Sequence, residues 1–354
     1  MHLHELFCLL FAIAPTLAFP NKGNFGWGSL SQLWPQNSNL HDLATNANGS
    51  DFLWLPQDEY SGKTFFDGFI FYNESDPTHG TVTYVNQTYA FDNKLAYVDD
   101  NGTVIMKGDD TTWLPEGENR SSVRVSSIAQ YNTGLFILDV NRAPWGCETN
   151  YTGTLVQGSN GTANLNCDGN LPGNAGCGIT EWSKASYGPF FDEQGGGVFA
   201  MKWDETGIAV YSFYRSAIPN DITINSPDPS NWGVPVAALA PDSCDPLTFF
   251  VNHSIIFDIT FCGDWAGNSY ATSGCPGSCS TVLMDPSNFV VWAVFKALSS
   301  SSLPDIQNAS WSINSLKVYR KQAIVGTVSP AVALQVPLHW ISSLVVLAIY
   351  LAWS

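Results

Sequence analysis

Ser254-Ile-Ile-Phe-Asp-Ile-Thr-Phe-Cys262 puts Ile255, Phe257, Ile259 and Phe261 on one side of an extended chain and Asp258, Thr260 and Cys262 on the other. Period-two alternation is the mark of a strand with one face packed and one face polar. The same rhythm recurs on both sides of this run. Val198 to Trp203 and Ile208 to Arg215 are two such runs joined by Asp204-Glu-Thr-Gly207, whose glycine can supply the positive φ of a tight hairpin turn. Thr64 to Tyr72 is apolar on both alternating sets and predicts a strand covered on both sides. Thr81 to Val85, Val104 to Lys107, Val123 to Ser127, Gly134 to Val140 and Trp311 to Tyr319 complete the inventory. Many short strands with turn signals between them predict an all-β fold, two antiparallel sheets packed face to face as a jelly-roll-like sandwich. No linker, repeat or long helical period interrupts residues 19–325, so they are expected to form a single domain.

The composition narrows what such a domain can do. Fourteen Lys+Arg against thirty-one Asp+Glu give a net charge of −17, which repels a phosphate backbone, so nucleic acid is not expected as a partner. Residues 1–18 join a polar start to an apolar run and end in Thr16-Leu-Ala18, the pattern of a cleaved signal peptide. Asn-x-Ser/Thr sequons begin at Asn48, Asn73, Asn86, Asn101, Asn119, Asn150, Asn160, Asn252 and Asn308, as in a glycoprotein. Once Cys8 leaves with the signal peptide, an odd set of cysteines remains: Cys147, Cys167, Cys177, Cys244, Cys262, Cys275 and Cys279. In an oxidising compartment they are expected to pair, leaving one over. Within residues 326–354, small residues at Gly326, Thr327 and Ser329 precede an apolar tail from Val336, the pattern of a GPI attachment signal. A transmembrane helix is the other reading. It would put Lys317, Arg320 and Lys321 on the extracellular side, against the positive-inside tendency, so the anchor is favoured. An extracellular or cell-surface location follows, with the membrane met through the lipid anchor.

Specific strings carry more information than periodicity. Phe65-Phe-Asp-Gly-Phe-Ile-Phe-Tyr72, Asp76-Pro-Thr-His-Gly80, Ser122-Val-Arg-Val125, Tyr131 to Asp139, Asn174-Ala-Gly-Cys-Gly178, Gly195-Gly-Gly197, Gly263-Asp-Trp-Ala-Gly267 and Trp311 to Tyr319 occur in one order. Together they resemble the secreted endo-1,3(4)-β-glucanases of glycoside hydrolase family 16, the laminarinase-like branch, over roughly residues 26–321. The resemblance implies a concanavalin-like β-jelly roll with a cleft across its concave sheet, and retaining cleavage of a β-glucan.

Retaining hydrolysis needs two carboxyl groups about 5–5.5 Å apart, one a nucleophile and one an acid/base. The family supplies them from a single strand of the Glu-Ile-Asp-Ile-Ile-Glu type, and no such run is present. Where it is expected, Ala143-Pro-Trp-Gly-Cys147 meets Glu148-Thr-Asn-Tyr151, which looks like the far side of the same loop. The other acid pairs do not replace it. Asp58-Glu59, Asp192-Glu193 and Asp204-Glu205 are adjacent and would point to opposite faces of a strand. Glu116 and Glu118 are separated by Gly117 and preceded by Pro115, a loop. No catalytic residue is therefore assigned. Residues 291–307 intervene where the family runs from Asn288-Phe-Val290 straight into Asn308-Ala-Ser-Trp311. A Val codon begins GT and a Gln codon can end AG. An intron translated as coding at 291–307, and coding sequence skipped at Cys147/Glu148, would explain both oddities.

What the sequence retains is a set of sugar contacts. Trp265 resembles the family's sugar-stacking tryptophan, and an indole suits the apolar face of a pyranose. Arg124 resembles the cleft arginine that hydrogen-bonds sugar hydroxyls, and Arg215 is a third candidate for substrate binding. Each has a plain structural alternative: a tryptophan buried in a turn, or an arginine on a solvated surface. The six histidines lack metal-ligand spacing, so neither a metal nor another cofactor is expected. The leading function is endo-hydrolysis of β-1,3 or mixed β-1,3/1,4 glucan by a monomeric enzyme, with the chain as written inactive. The alternatives are a non-catalytic glucan-binding wall protein and a wall transglycosylase.

Overall fold

The structure is a computed structural model that describes residues 44–45, 51–145, 181, 183, 185–242, 245–264, 266–272, 275–289 and 309–324. Their strands, in chain order, are β1 (Ala44–Thr45), β2 (Asp51–Ser61), β3 (Phe69–Phe71), β4 (Val82–Tyr84), β5 (Ala96–Val98), β6 (Val104–Lys107) and β7 (Arg120–Ser122). There follow β8 (Arg124–Tyr131), β9 (Gly134–Arg142), β10 (Gly197–Asp204), β11 (Gly207–Tyr214), β12 (Ala237–Leu239), β13 (His253–Asp258) and β14 (Ser310–Ala323). Sheet A runs β1-β2-β14-β9-β10-β11-β12, with β6 also pairing β14 and β5 pairing β6. Sheet B is β13-β8-β3, and β4 lies parallel to β7 in a two-stranded ribbon. The pairings within sheets A and B are antiparallel, and the fold is the jelly-roll sandwich that the strand rhythm predicts.

Parity explains the layers. On β9, Phe136 and Val140 point into the core shared with sheet B, where they join Phe69, Val125 and Phe257. Their neighbours Leu135 and Ile137 point the other way, into a second apolar layer with Val198, Ala200, Tyr211 and Trp232. Sheet A is therefore packed on both faces. In β2 the two layers meet within a single strand: Phe52 and Trp54 belong to the outer layer and Tyr60 to the inner one. The register shift against β14 at Pro56 to Asp58 inserts the extra residue that turns the side chains over.

The hairpin β10–β11 has the expected partners, Asp204 opposite Gly207 and Trp203 opposite Ile208, and Gly207 takes φ +121°. Two expectations are corrected. The run from Thr64 is not a strand throughout: Gly62–Gly68 is a 3₁₀ turn and only Phe69–Phe71 is extended. Phe65 and Phe66 are both buried, which one turn of helix achieves at consecutive positions and a strand facing one core does not. The run from Ser254 ends as a strand at Asp258; beyond it Cys262 takes φ +53° and is joined to Cys279 by a disulfide. Cys275 is also disulfide-bonded. Cys147, Cys167, Cys177 and Cys244 lie outside the described residues, as do residues 1–18, 291–307 and 326–354. No helix among the described residues is long and apolar enough to cross a membrane.

Candidate functional site

Sheet B carries the site. The outward side chains of its central strand include Arg124 and Ser126; Asp258 stands directly opposite Arg124 on β13, and Ile256 and Ile70 flank Ser126 from either side. Arg124 donates from Nη1 to Oδ2 of Asp258 at 3.3 Å. Its guanidinium also lies 5.4 Å from the ring centre of Tyr72 and 6.0 Å from that of Tyr84, close enough for cation–π attraction. The side chain is 16% exposed, so its charge is held by this frame and not spread into solvent.

Beneath the pair lies Asp76, 7% exposed, at the start of the Asp76-Pro-Thr-His-Gly80 loop. Its carboxylate accepts from Thr78 N (3.1 Å), Thr78 Oγ1 (2.8 Å), Gly80 N (2.8 Å) and Thr260 Oγ1 (2.6 Å). Burial pushes its pKa up, but the hydrogen bonds from Thr260, Thr78 and Gly80 outweigh it and hold the group at about 2. Tyr84 donates toward Asp76 Oδ1 at 3.4 Å and toward Asp258 Oδ2 at 3.3 Å, linking the buried acid to the outer one. Burial, then the nearby charges of Asp258 and Asp76, raise the phenol's pKa, so it stays a donor. Gly80 has no room for a side chain: a Cβ there would lie 2.1 Å from Thr260 Oγ1 and 2.9 Å from Phe261 O.

The same loop meets the loop containing Trp265. Asp264 N donates to Thr78 O at 2.9 Å, and His79 Nδ1 lies 2.8 Å from Asp264 Oδ2, both side chains exposed. The hydrogen bond to Asp264 and its charge raise the pKa of His79. Trp265 itself lies outside the described residues, but its neighbour Asp264 joins the cluster's rim. Arg124 and the Trp265 loop are thus drawn to one end of sheet B through Asp258, Tyr84, Asp76 and Thr260.

Arg215 does not join them. Its guanidinium donates to Asp139 Oδ1 (2.7 Å), Val140 O (2.9 Å) and Asn141 Oδ1 (3.2 Å), and Nε to Gly195 O (2.9 Å). Asp139 shares the β9 face of Leu135 and Ile137, the side of sheet A turned away from sheet B. The adjacent acids are likewise engaged elsewhere. Asp58 accepts from Tyr131 OH, Asp192 lies under Arg142 and Trp145, and Asp204 is held by Lys202 and Lys321. Sequence reasoning missed Asp258, Tyr72 and Tyr84. A lone carboxylate on the polar side of an otherwise apolar strand was the available signal for Asp258. Among the described residues no group of three or more His, Cys, Asp or Glu comes together as a metal site would require. Asn73, Asn86, Asn101, Asn119 and Asn252 are all exposed, whereas Asn48, Asn150, Asn160 and Asn308 lie outside the described residues, as does the Cys147/Glu148 junction.

The described residues thus form a two-sheet antiparallel sandwich with an arginine–carboxylate–aromatic cluster on its smaller sheet, and comparison with known proteins gives it a family. A family profile described as "XgeA-like, catalytic GH16 domain" matches residues 69–152 and 148–319. A Schizosaccharomyces pombe protein named a probable glycosidase is 37% identical over 306 residues, covering 74% of this chain and 68% of its own. A probable endo-1,3(4)-β-glucanase of Aspergillus niger is 34% identical over 299 residues, and there the chain spans only 39% of the relative. Laminarinase 16A of Phanerochaete chrysosporium, solved with two β-glucans in its donor and acceptor sites, superposes with a TM-score of 0.63 at 32% identity over 75% of this chain and 99% of that one. An elongating family 16 β-1,3-glucosyltransferase gives 0.62 at 30% identity over 75% and 100%. The chain belongs to glycoside hydrolase family 16.

Proposed function

We propose that the gene encodes a retaining endo-β-glucanase acting on β-1,3 or mixed β-1,3/1,4 glucan outside the cell, and that the 354-residue chain as written has lost its two reacting carboxyl groups. One observation carries the second half of this reading. The family profile covers residues 69–319 but breaks into two stretches that meet at 148–152, where the carboxylate-bearing strand is expected. The alignment with the S. pombe protein supports it, since 306 aligned positions exceed what 74% of a 354-residue chain supplies. Relatives therefore carry positions that face no residue here.

Arg124 and Asp258 present a charged, hydrogen-bonding face suited to sugar hydroxyls. Arg215, committed to Asp139, has no part in this reading. Secretion, glycosylation at the sequons and a GPI anchor belong to the proposal because β-glucan of this kind is met outside the cell. The test is reducing-sugar release from laminarin by two proteins, the 354-residue chain and the product of a full-length transcript. The reading expects release from the second alone, and a transcript that encodes these 354 residues unchanged would overturn it. Transglycosylation is a second reading, favoured by the glucosyltransferase among the similar structures. Lengthened products from laminari-oligosaccharides would distinguish it. A third, glucan binding without chemistry, is what the chain as written would retain.

A further inference from the structure

Asn86 precedes a short helix, α1 (Gln87–Asp92), and opens the sequon Asn86-Gln-Thr88. Its backbone is extended, at φ −68° and ψ 167°, and its side-chain Oδ1 accepts from Tyr89 N at 2.9 Å, the way an asparagine caps a helix. The carboxamide is thereby divided. Its oxygen serves the backbone, while Nδ2, on an exposed side chain, donates to nothing among the described residues. Asn119 is the reverse case, since its Nδ2 donates to Val82 O at 3.2 Å.

Tyr89 stands one turn on from Asn86, and its backbone is fixed at both ends. Its N–H rests on Asn86 Oδ1, and its carbonyl accepts from Asn93 N (3.0 Å) and Asn93 Nδ2 (2.9 Å). The helix is seated on its other side by the fully buried Ala90 and by Phe91, whose ring meets those of Phe66 and Phe71. The Tyr89 ring is nevertheless 47% exposed. Positions three apart share a helix face and helical side chains lean toward the N-terminus, so this ring lies over the turn that begins at Asn86. A tyrosine ring left partly in water suits the apolar face of a pyranose.

We infer that Asn86 carries an N-linked glycan whose first sugar, an N-acetylhexosamine, packs on Tyr89, so that one asparagine both caps α1 and anchors a sugar against it. The inference rests on the passage through the secretory pathway that the proposed function includes. In the transfer, Nδ2 displaces a polyprenyl diphosphate from C1 of the sugar. The N–C1 bond forms, the C1–O bond breaks with its electron pair going to the diphosphate, and one amide proton is released. Oδ1 takes no part and the product is still an amide, so the cap survives the modification. At Asn119 the same transfer removes a hydrogen from the atom that serves Val82 O.

The experiment secretes the 354-residue chain, and in parallel the full-length transcript product, from a eukaryotic host. Peptides are treated with a glycan-cleaving amidase in heavy-oxygen water, which leaves a labelled aspartate wherever an asparagine was glycosylated. Label at Asn86 is expected. Thermal unfolding is then compared for the glycosylated protein, Thr88→Ala, Tyr89→Ala and the double variant. Thr88→Ala removes the sequon and keeps the cap, and it is expected to lower Tm by about 2–4 °C, as is Tyr89→Ala. The two losses are expected not to add, because each removes the same contact. Trimming the glycan to its first sugar should leave Tm unchanged. Where the 354-residue chain shows no cooperative transition, the full-length product decides the comparison. An unlabelled Asn86 overturns the inference, and so does a Thr88→Ala loss that is absent or undiminished in the Tyr89→Ala background. Label at other sequons but not at Asn86 leaves the proposed secretion standing, whereas label at none sinks both. A labelled Asn86 coupled to Tyr89, in a full-length product that releases no sugar from laminarin, sinks the proposed glucanase and leaves this site intact.

Discussion

Asp76 shows how much of this site is held by one buried acid. Four protein hydrogen bonds keep its pKa at about 2, below the 3.8 of a free aspartate. A group depressed on folding lends stability above its unfolded pKa and withdraws it as pH falls through the folded one, so the window here lies between about pH 4 and pH 2. Asp76→Asn is expected to cost about 2 kcal/mol in urea unfolding at pH 7 and little at pH 2. Above it, Arg124 and Asp258 act as a unit. Arg124→Ala should weaken binding of laminari-oligosaccharides to the folded protein about tenfold or more by calorimetry, the worth of a charged hydrogen bond. Asp258→Asn should weaken it less, since Tyr72 and Tyr84 still frame the guanidinium. Arg215→Ala should leave that affinity unchanged, because its four hydrogen bonds are all internal. Arg124 was legible because it interrupts an alternating strand. The commitment of Arg215 was not, since its acceptor Asp139 lies 76 residues away and only strand pairing brings the two together.

At the scale of elements, alternation was the readable signal, and it failed where the backbone changes face. The β10–β11 hairpin could be drawn from sequence because both strands keep period two and Gly207 marks the turn. Gly207→Ala would put a Cβ 2.4 Å from Leu239 O at φ +121°, and a loss of about 1–3 kcal/mol in denaturant unfolding is expected. β2 was not foreseen. Pro56 and the polar run Gln57-Asp58-Glu59 break its apolar alternation, yet the bulge accommodates them and moves the apolar set from the outer layer to the inner. The 3₁₀ turn at Gly62–Gly68 was hidden for a related reason, because consecutive buried aromatics satisfy a two-sided strand as well as they do a helical turn. The parallel pairing of β4 with β7 has no local signal, since it depends on residues nearly forty positions apart.

For the molecule as a whole, the sandwich was legible and its incompleteness was half legible. The sequence pointed to a missing strand by the motif it lacked, and the family match divides at the same place. The Asp76 cluster is formed wholly by described residues, whereas the carboxyl pair that the cleft chemistry needs is not among them. Reducing-sugar release from laminarin by purified, folded protein of this sequence, measured beside a full-length transcript product, bears on the central claim most directly. The account predicts none from the 354-residue chain, and steady release by that chain alone, abolished by changing an acid already present in it, would contradict it.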